Sequence, residues 1–167
     1  VYRSRDDARD ISCSHGAADV SSTSARVSIV AVIAAVLALV RLCYTHSVFG
    51  VGPISIGLQV AAALFMLWAR LTFGMRSFHA AANPTEGQLV TSGPFAIVRN
   101  PIYAAVILFS WTAVAVHWST ENALLGLVIT GGMLVRIFAE EKLLRERYGA
   151  EYAEYQRRVK RLVPLVF

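Results

Sequence analysis

Charge is what this chain has least of. Only 16% of its 167 residues are Asp, Glu, Lys or Arg, against about a quarter in an average soluble domain. Cysteine is nearly absent: Cys13 and Cys43 stand far apart with no C-x-x-C spacing, which argues against a disulfide framework and a zinc site. Histidine is limited to His15, His46, His79 and His117. None of these pairs has the H-x-x-x-H spacing of helical metal ligands, so no metal is expected. There is no P-loop, no G-x-S-x-G elbow and no Rossmann fingerprint. A nucleotide-like cofactor therefore has to be held in a non-Rossmann way. No apolar core lies within residues 1–26, so that stretch is not expected to act as a secretory leader.

Apolar residues fill the space that charge leaves. They make up 56% of the chain, its mean hydropathy is +0.53, and they fall in four blocks. The blocks run from residue 27 to about 42, 54 to about 73, 101 to 118, and 123 to 138. Each is roughly 16–20 residues, the short end of what crosses a hydrocarbon core. Lipid cannot satisfy backbone amides, so helices are the natural reading. Four such blocks leave too little polar surface for a soluble helical protein. The predicted fold class is all-α: a polytopic membrane protein with about four transmembrane helices and an amphipathic C-terminal helix on the cytosolic side. Gly50, Gly52 and Pro53 mark the first turn between helices. Ser119, Thr120, Glu121 and Asn122 form a short polar turn, which makes the last two helices a hairpin. Pro101 suits the first turn of the third helix, where its missing N–H costs nothing.

Residues 1–26 are polar, rich in Ser, Asp and Arg, and expected to be disordered and cytosolic. Residues 27–167 are expected to form one membrane domain. The net charge is +5, and its distribution points to topology, with no nucleic-acid partner expected. With the N-terminus in the cytosol, fifteen of the 16 basic residues fall on the inner side and Arg41 alone falls outside. The positive-inside rule then places both termini in the cytosol. Beyond the fourth block, Leu144, Tyr148, Tyr152, Tyr155 and Val159 recur at spacings of three and four. Gly149 marks a break. Such a helix either lies on the membrane surface or packs on the protein.

Two segments carry candidate chemistry. The loop before the third helix, from Gly87 and Gln88 through Ser92, Gly93 and Pro94 to Asn100 and Pro101, is rich in small residues and proline. It either brings backbone groups against a ligand or simply turns the chain into the third helix. The second candidate is Arg136 with Glu140 and Glu141, and Arg136 precedes Glu140 by four residues, so those two share a helix face. They form either a snorkelling pair or a polar pocket at the membrane boundary. Trp68, Trp111 and Trp118 read as bilayer or packing residues. The Gly131–Gly132 pair either permits close helix contact or opens space for a ligand.

These two segments together resemble the isoprenylcysteine carboxyl methyltransferase family, more loosely related to phospholipid N-methyltransferases. The pattern L-V-x-S-G-P-[YF]-x-x-x-R-[HN]-P-x-Y occupies residues 89–103. After a helical hairpin, E-E-x-x-L follows at 140–144, Y-G-x-E-Y-x-x-Y at 148–155, and a basic tail ends near Arg161 and Pro164. The resemblance covers about residues 70–165. It implies S-adenosylmethionine as methyl donor, held by a C-terminal region of about 87–161. Carried over, Gln88, Leu89 and Val90 line the adenosyl pocket, and Phe95 takes an aromatic position. Asn100, Pro101, Ile102 and Tyr103 take the H-P-x-Y stretch, Glu140 the cofactor-contacting glutamate, and Arg136 an arginine that positions the acceptor. Asn100 departs from the usual His, and Ala105 stands where Gly is common. The implied partners are the bilayer and a lipophilic or small-molecule acceptor. Carboxylate O-methylation leads, with phospholipid amine or small-thiol methylation as alternatives. Outside that class stand an NADPH-dependent enzyme of the sterol-reductase type and a non-catalytic membrane partner.

Overall fold

The computed structural model describes residues 26–74 and 89–164. The polar stretch 1–25 and the segment 75–88, with Arg76, His79, Gly87 and Gln88, lie outside the described residues. Four helices follow one another: α1 (Arg26–Tyr44), α2 (Pro53–Phe73), α3 (Pro101–Val116) and α4 (Thr120–Arg158). Three of them are long and apolar enough to cross a membrane, and α3 is a shorter apolar helix. Among the described residues there is no strand, only an isolated parallel bridge between Val98 and Lys160. The protein is an all-α polytopic membrane protein. Large apolar side chains such as Val30, Leu37, Ile54 and Leu71 are exposed on α1 and α2, as lipid contact requires.

Local chemistry sets the helix ends. Gly52, at φ 111°, leads into Pro53 at the first turn of α2. Asn100 leads into Pro101 at the first turn of α3. The second turn is shorter than the polar run 119–122 suggests. The Ser119 hydroxyl accepts the Asn122 amide at 3.1 Å, and Asn122 Nδ2 donates to the His117 carbonyl at 2.6 Å. With Ser119 as the cap, Thr120, Glu121 and Asn122 already belong to α4. At the same end, Gln59 ties down the α1–α2 turn. Its Oε1 accepts from Gly50 N at 2.8 Å, and its Nε2 donates to the Val48 carbonyl at 2.9 Å and the Phe109 carbonyl at 3.4 Å.

Helices α1 and α4 run antiparallel. The Arg41–Glu121 ion pair, at 2.8 Å, joins them at one end. Further along, a Cβ built on Gly132 would lie 2.6 Å from the Ala31 carbonyl oxygen and 2.8 Å from the Ala35 Cβ. Gly132 is therefore what lets the two backbones touch, while Gly131 faces open space. Ala35, Ala38 and Leu42 of α1 pack on Ile129 and Met133 of α4, with Tyr103, Val106 and Ile107 of α3 against them.

The sequence separates a fourth crossing from a charged helix, but the structure runs them together. After Phe138 the helix continues, and its only non-helical residue is Gly149 (φ 51°, ψ −117°). No Gly or Pro interrupts residues 139–148, so nothing stops the helix there. At 39 residues and about 1.5 Å per residue, α4 is far longer than a roughly 30 Å hydrocarbon core. Its charged portion after Phe138 projects beyond that core. Past Gly149 the chain turns back onto the protein. Tyr152 and Tyr155 are buried, so of the two arrangements open to this helix it takes the one packed on the protein.

A candidate cofactor site where α3 begins and α4 emerges

The loop before α3 and the charged part of α4 meet at the end of the bundle opposite the Arg41–Glu121 pair. Ser92 leads into a 3-10 turn, Gly93–Ala96. Gly93 adopts φ 59° and sits against Thr72, where an added Cβ would come within 3.0 Å of the hydroxyl. A side chain there would be strained and crowded. The Phe95 ring packs on Phe73 of α2, centroids 5.9 Å apart.

Two polar networks grow from this junction. In the first, the Tyr103 hydroxyl donates to Glu140 Oε1 at 2.7 Å, and Arg136 Nε donates to the same oxygen at 2.8 Å. All three residues are half-buried. Charge-assisted bonds of this length are among the stronger ones a protein makes.

The second network is buried. Glu141, 2% exposed, receives Arg99 Nε and Nη2 at 3.2 and 3.1 Å, Asn100 Nδ2 at 3.2 Å, and Arg161 Nε and Nη2 at 3.1 and 2.8 Å. Arg99 Nη1 also donates to the carbonyls of Gln156 and Val159, at 3.0 and 2.7 Å. Arg99 N and Asn100 N donate to the carbonyls of Lys160 and Arg161, and the Tyr155 hydroxyl donates to the Phe95 carbonyl at 2.6 Å. Arg161 also lies over the Phe138 ring, 4.7 Å from its centroid. The C-terminal strap is thus sewn to the loop. Burial alone would push the Glu141 carboxyl up. The hydrogen bonds from Arg161 and the charges of Arg99 and Arg161 outweigh burial and hold it below the ordinary carboxylate value. Burial and the Glu141 charge push the Tyr152 phenol up to about 12.

Some of the residues singled out from sequence join these networks. Tyr103, Arg136 and Glu140 come together. Asn100 joins the Glu141 network instead, with its side chain turned toward the strap. Pro101 is buried at the start of α3, Ile102 is half-buried beside it, and Leu89 and Val90 are half-buried at the start of the loop. Phe95 contributes its ring to α2 and its carbonyl to Tyr155. Gln88 lies outside the described residues. Sequence reading grouped Glu141 with Arg136 and Glu140, placed Tyr155 on the apolar face of the C-terminal helix, and gave no role of their own to Arg99 or Arg161. Arg99 lies 42 positions before Glu141, and Arg161 lies 20 after it, so no helical spacing announces the cluster. The doubled glutamate of the E-E-x-x-L motif was the available signal.

Comparison with known proteins agrees with this layout. The pattern of the phospholipid methyltransferase family matches residues 46–151, which takes in α2, α3, the loop between them and α4 to just past its kink. A methanethiol S-methyltransferase 2 from Bradyrhizobium diazoefficiens is 36% identical over 98 residues. That alignment covers 57% of this chain and 37% of the relative, so the chain spans well under half the relative's length. No solved structure matches. With more than half of its residues matched by the family pattern, the chain belongs to the phospholipid methyltransferase family.

Proposed function

We propose that this protein is an S-adenosylmethionine-dependent membrane methyltransferase and that its acceptor is a small thiol. The observation that carries the reading is the half-buried Tyr103–Glu140–Arg136 cluster. The residues fit the donor's chemistry. Both bonds to Glu140 fall on Oε1, which leaves Oε2 to accept from a ribose hydroxyl or an ammonium group. When bound, the cofactor supplies a sulfonium methyl group that passes to the acceptor sulfur, with S-adenosylhomocysteine released and the thiol proton lost to water.

The chain's own residues supply alignment. Tyr103 and Arg136 fix the rotamer of Glu140. The Arg136 charge stabilises a thiolate over a thiol and holds it near the transferring methyl. A thiolate needs no general base, so positioning and water exclusion are the main work. By the positive-inside rule this end of the bundle faces the cytosol, as do both termini. Residues 27–167 act as one unit, with the donor arriving from water and the acceptor from water or the bilayer.

The thiol assignment takes its support from the name of the Bradyrhizobium relative. A carboxylate acceptor is the second reading, favoured by Arg136, because a guanidinium matches a carboxylate well. Calorimetry on the purified protein tests the donor: S-adenosylhomocysteine binds in the micromolar range, and Glu140→Ala abolishes binding. A folded wild type that binds NADPH instead points to a reductase, and one that binds neither ligand to a non-catalytic partner. Labelled-methyl transfer to methanethiol, a fatty acid and a phospholipid extract then ranks the acceptors. Transfer to the fatty acid or the phospholipid, with none to methanethiol, overturns the thiol assignment.

A further inference from the structure

Ser28 lies in the first turn of α1 and is 3% exposed. Its hydroxyl has no hydrogen-bond partner among the described residues. Other buried hydroxyls of the bundle are satisfied. Ser110 bonds the Val106 carbonyl and Thr112 the Leu108 carbonyl, each at 2.8 Å. Ser55, third in α2 as Ser28 is in α1, finds the Gly52 carbonyl at 3.1 Å. Leaving a buried hydroxyl unpaired costs about 1–3 kcal/mol, and such groups call for an explanation.

The helix register says what Ser28 faces. Ser28, Ala35 and Leu42 recur every seven residues with Ala38 between them, so they share the buried face of α1 that meets α4. The backbones touch where Ala31 meets Gly132. Moving toward the site, Ser28 comes three residues before Ala31, about 4.5 Å along α1, and Arg136 comes four after Gly132, about 6 Å along α4. Because the helices are antiparallel, Ser28 and Arg136 fall in the same layer. Tyr103, whose hydroxyl holds Glu140, packs against the cluster that α1 and α4 form together.

We infer that Ser28 is an acceptor-binding residue. Its hydroxyl donates to the acceptor's anionic head, a thiolate in the lead reading, from the α1 side while Arg136 holds it from α4. This rests on the methyltransferase reading and adds a third helix to the acceptor pocket. It also explains why a small polar residue breaks the apolar face of α1.

The test is Ser28→Ala in the full chain, reconstituted in nanodiscs and assayed with S-adenosylmethionine and methanethiol. Removing an unpaired buried hydroxyl raises the melting temperature of the ligand-free protein. Losing one charge-assisted hydrogen bond raises the acceptor KM about 10-fold, while the Kd for S-adenosylhomocysteine stays as in wild type. Ser28→Cys, which keeps the volume, moves KM in the same direction. An active wild type whose Ser28→Ala variant keeps the same acceptor KM overturns the Ser28 assignment alone, whatever the melting temperature does. A wild type that binds S-adenosylhomocysteine but methylates no thiol overturns the thiol reading and this inference with it.

Discussion

Glu140 and Glu141 are neighbours on α4 and face separate partners: Glu140 meets Tyr103 and Arg136, whereas Glu141 meets Arg99, Asn100 and Arg161. Their Gln variants separate accordingly. Glu141→Gln leaves two guanidinium groups without their buried counter-ion and lowers stability by about 3–5 kcal/mol. Glu140 is 28% exposed at its side chain, and Glu140→Gln, which keeps an acceptor oxygen for Tyr103 and Arg136, costs less stability than Glu141→Gln while weakening S-adenosylhomocysteine binding. Thermal denaturation and calorimetry on the same two samples check both statements.

Acid should release the strap. The Glu141 carboxyl titrates below its ordinary value of 4.5 in the folded protein. Its stabilising contribution is therefore complete above that pH and is lost as pH falls through the lower, folded value. Limited proteolysis with an acid-tolerant protease follows residues 159–164: protection holds near neutrality and is lost only on the acid side of the ordinary carboxylate value. In Glu141→Gln the cleavage rate no longer depends on pH over this range.

The two adjacent glycines of α4 should respond with opposite signs. An alanine at 132 drives its Cβ into the Ala31 carbonyl of α1, and parting two packed helices costs about 1–3 kcal/mol. An alanine at 131 meets nothing within 4 Å and gains about 0.5–1 kcal/mol from helix propensity. Melting temperatures of Gly131→Ala and Gly132→Ala in one detergent decide it.

Gln59 carries the far end of the bundle. Gln59→Leu keeps the volume and removes every side-chain bond to Val48, Gly50 and Phe109. Each buried backbone group left unpaired costs about 1–3 kcal/mol. Hydrogen exchange at the Gly50 amide should accelerate markedly, with little effect on cofactor binding at the opposite end.

The helices were legible in the sequence because bilayer-spanning segments are coded locally, by apolar runs and by the Gly and Pro that end them. Pro53, Pro101 and Gly149 do in the structure what their chemistry suggests. Tyr103 and Glu140 were legible through the motifs, and Arg136 through its four-residue spacing from Glu140. The Glu141 network was not, because its members are brought together only when the strap folds back past Gly149. Asn100 shows the same limit. Its place in the motif puts it just before Pro101, and only the folded chain shows its amide turned toward Glu141.

Helix α3 has 16 residues and rises only about 24 Å, shorter than the roughly 30 Å of hydrocarbon around it. Local thinning of the bilayer is one way such a hydrophobic mismatch is relieved. Thinning there would draw the membrane down around the helix that carries Tyr103. Methyl transfer would take place in a dimple, below the general level of the headgroups. Acceptors that partition into the upper acyl region would meet the site there, and activity should fall in bilayers too thick to dimple.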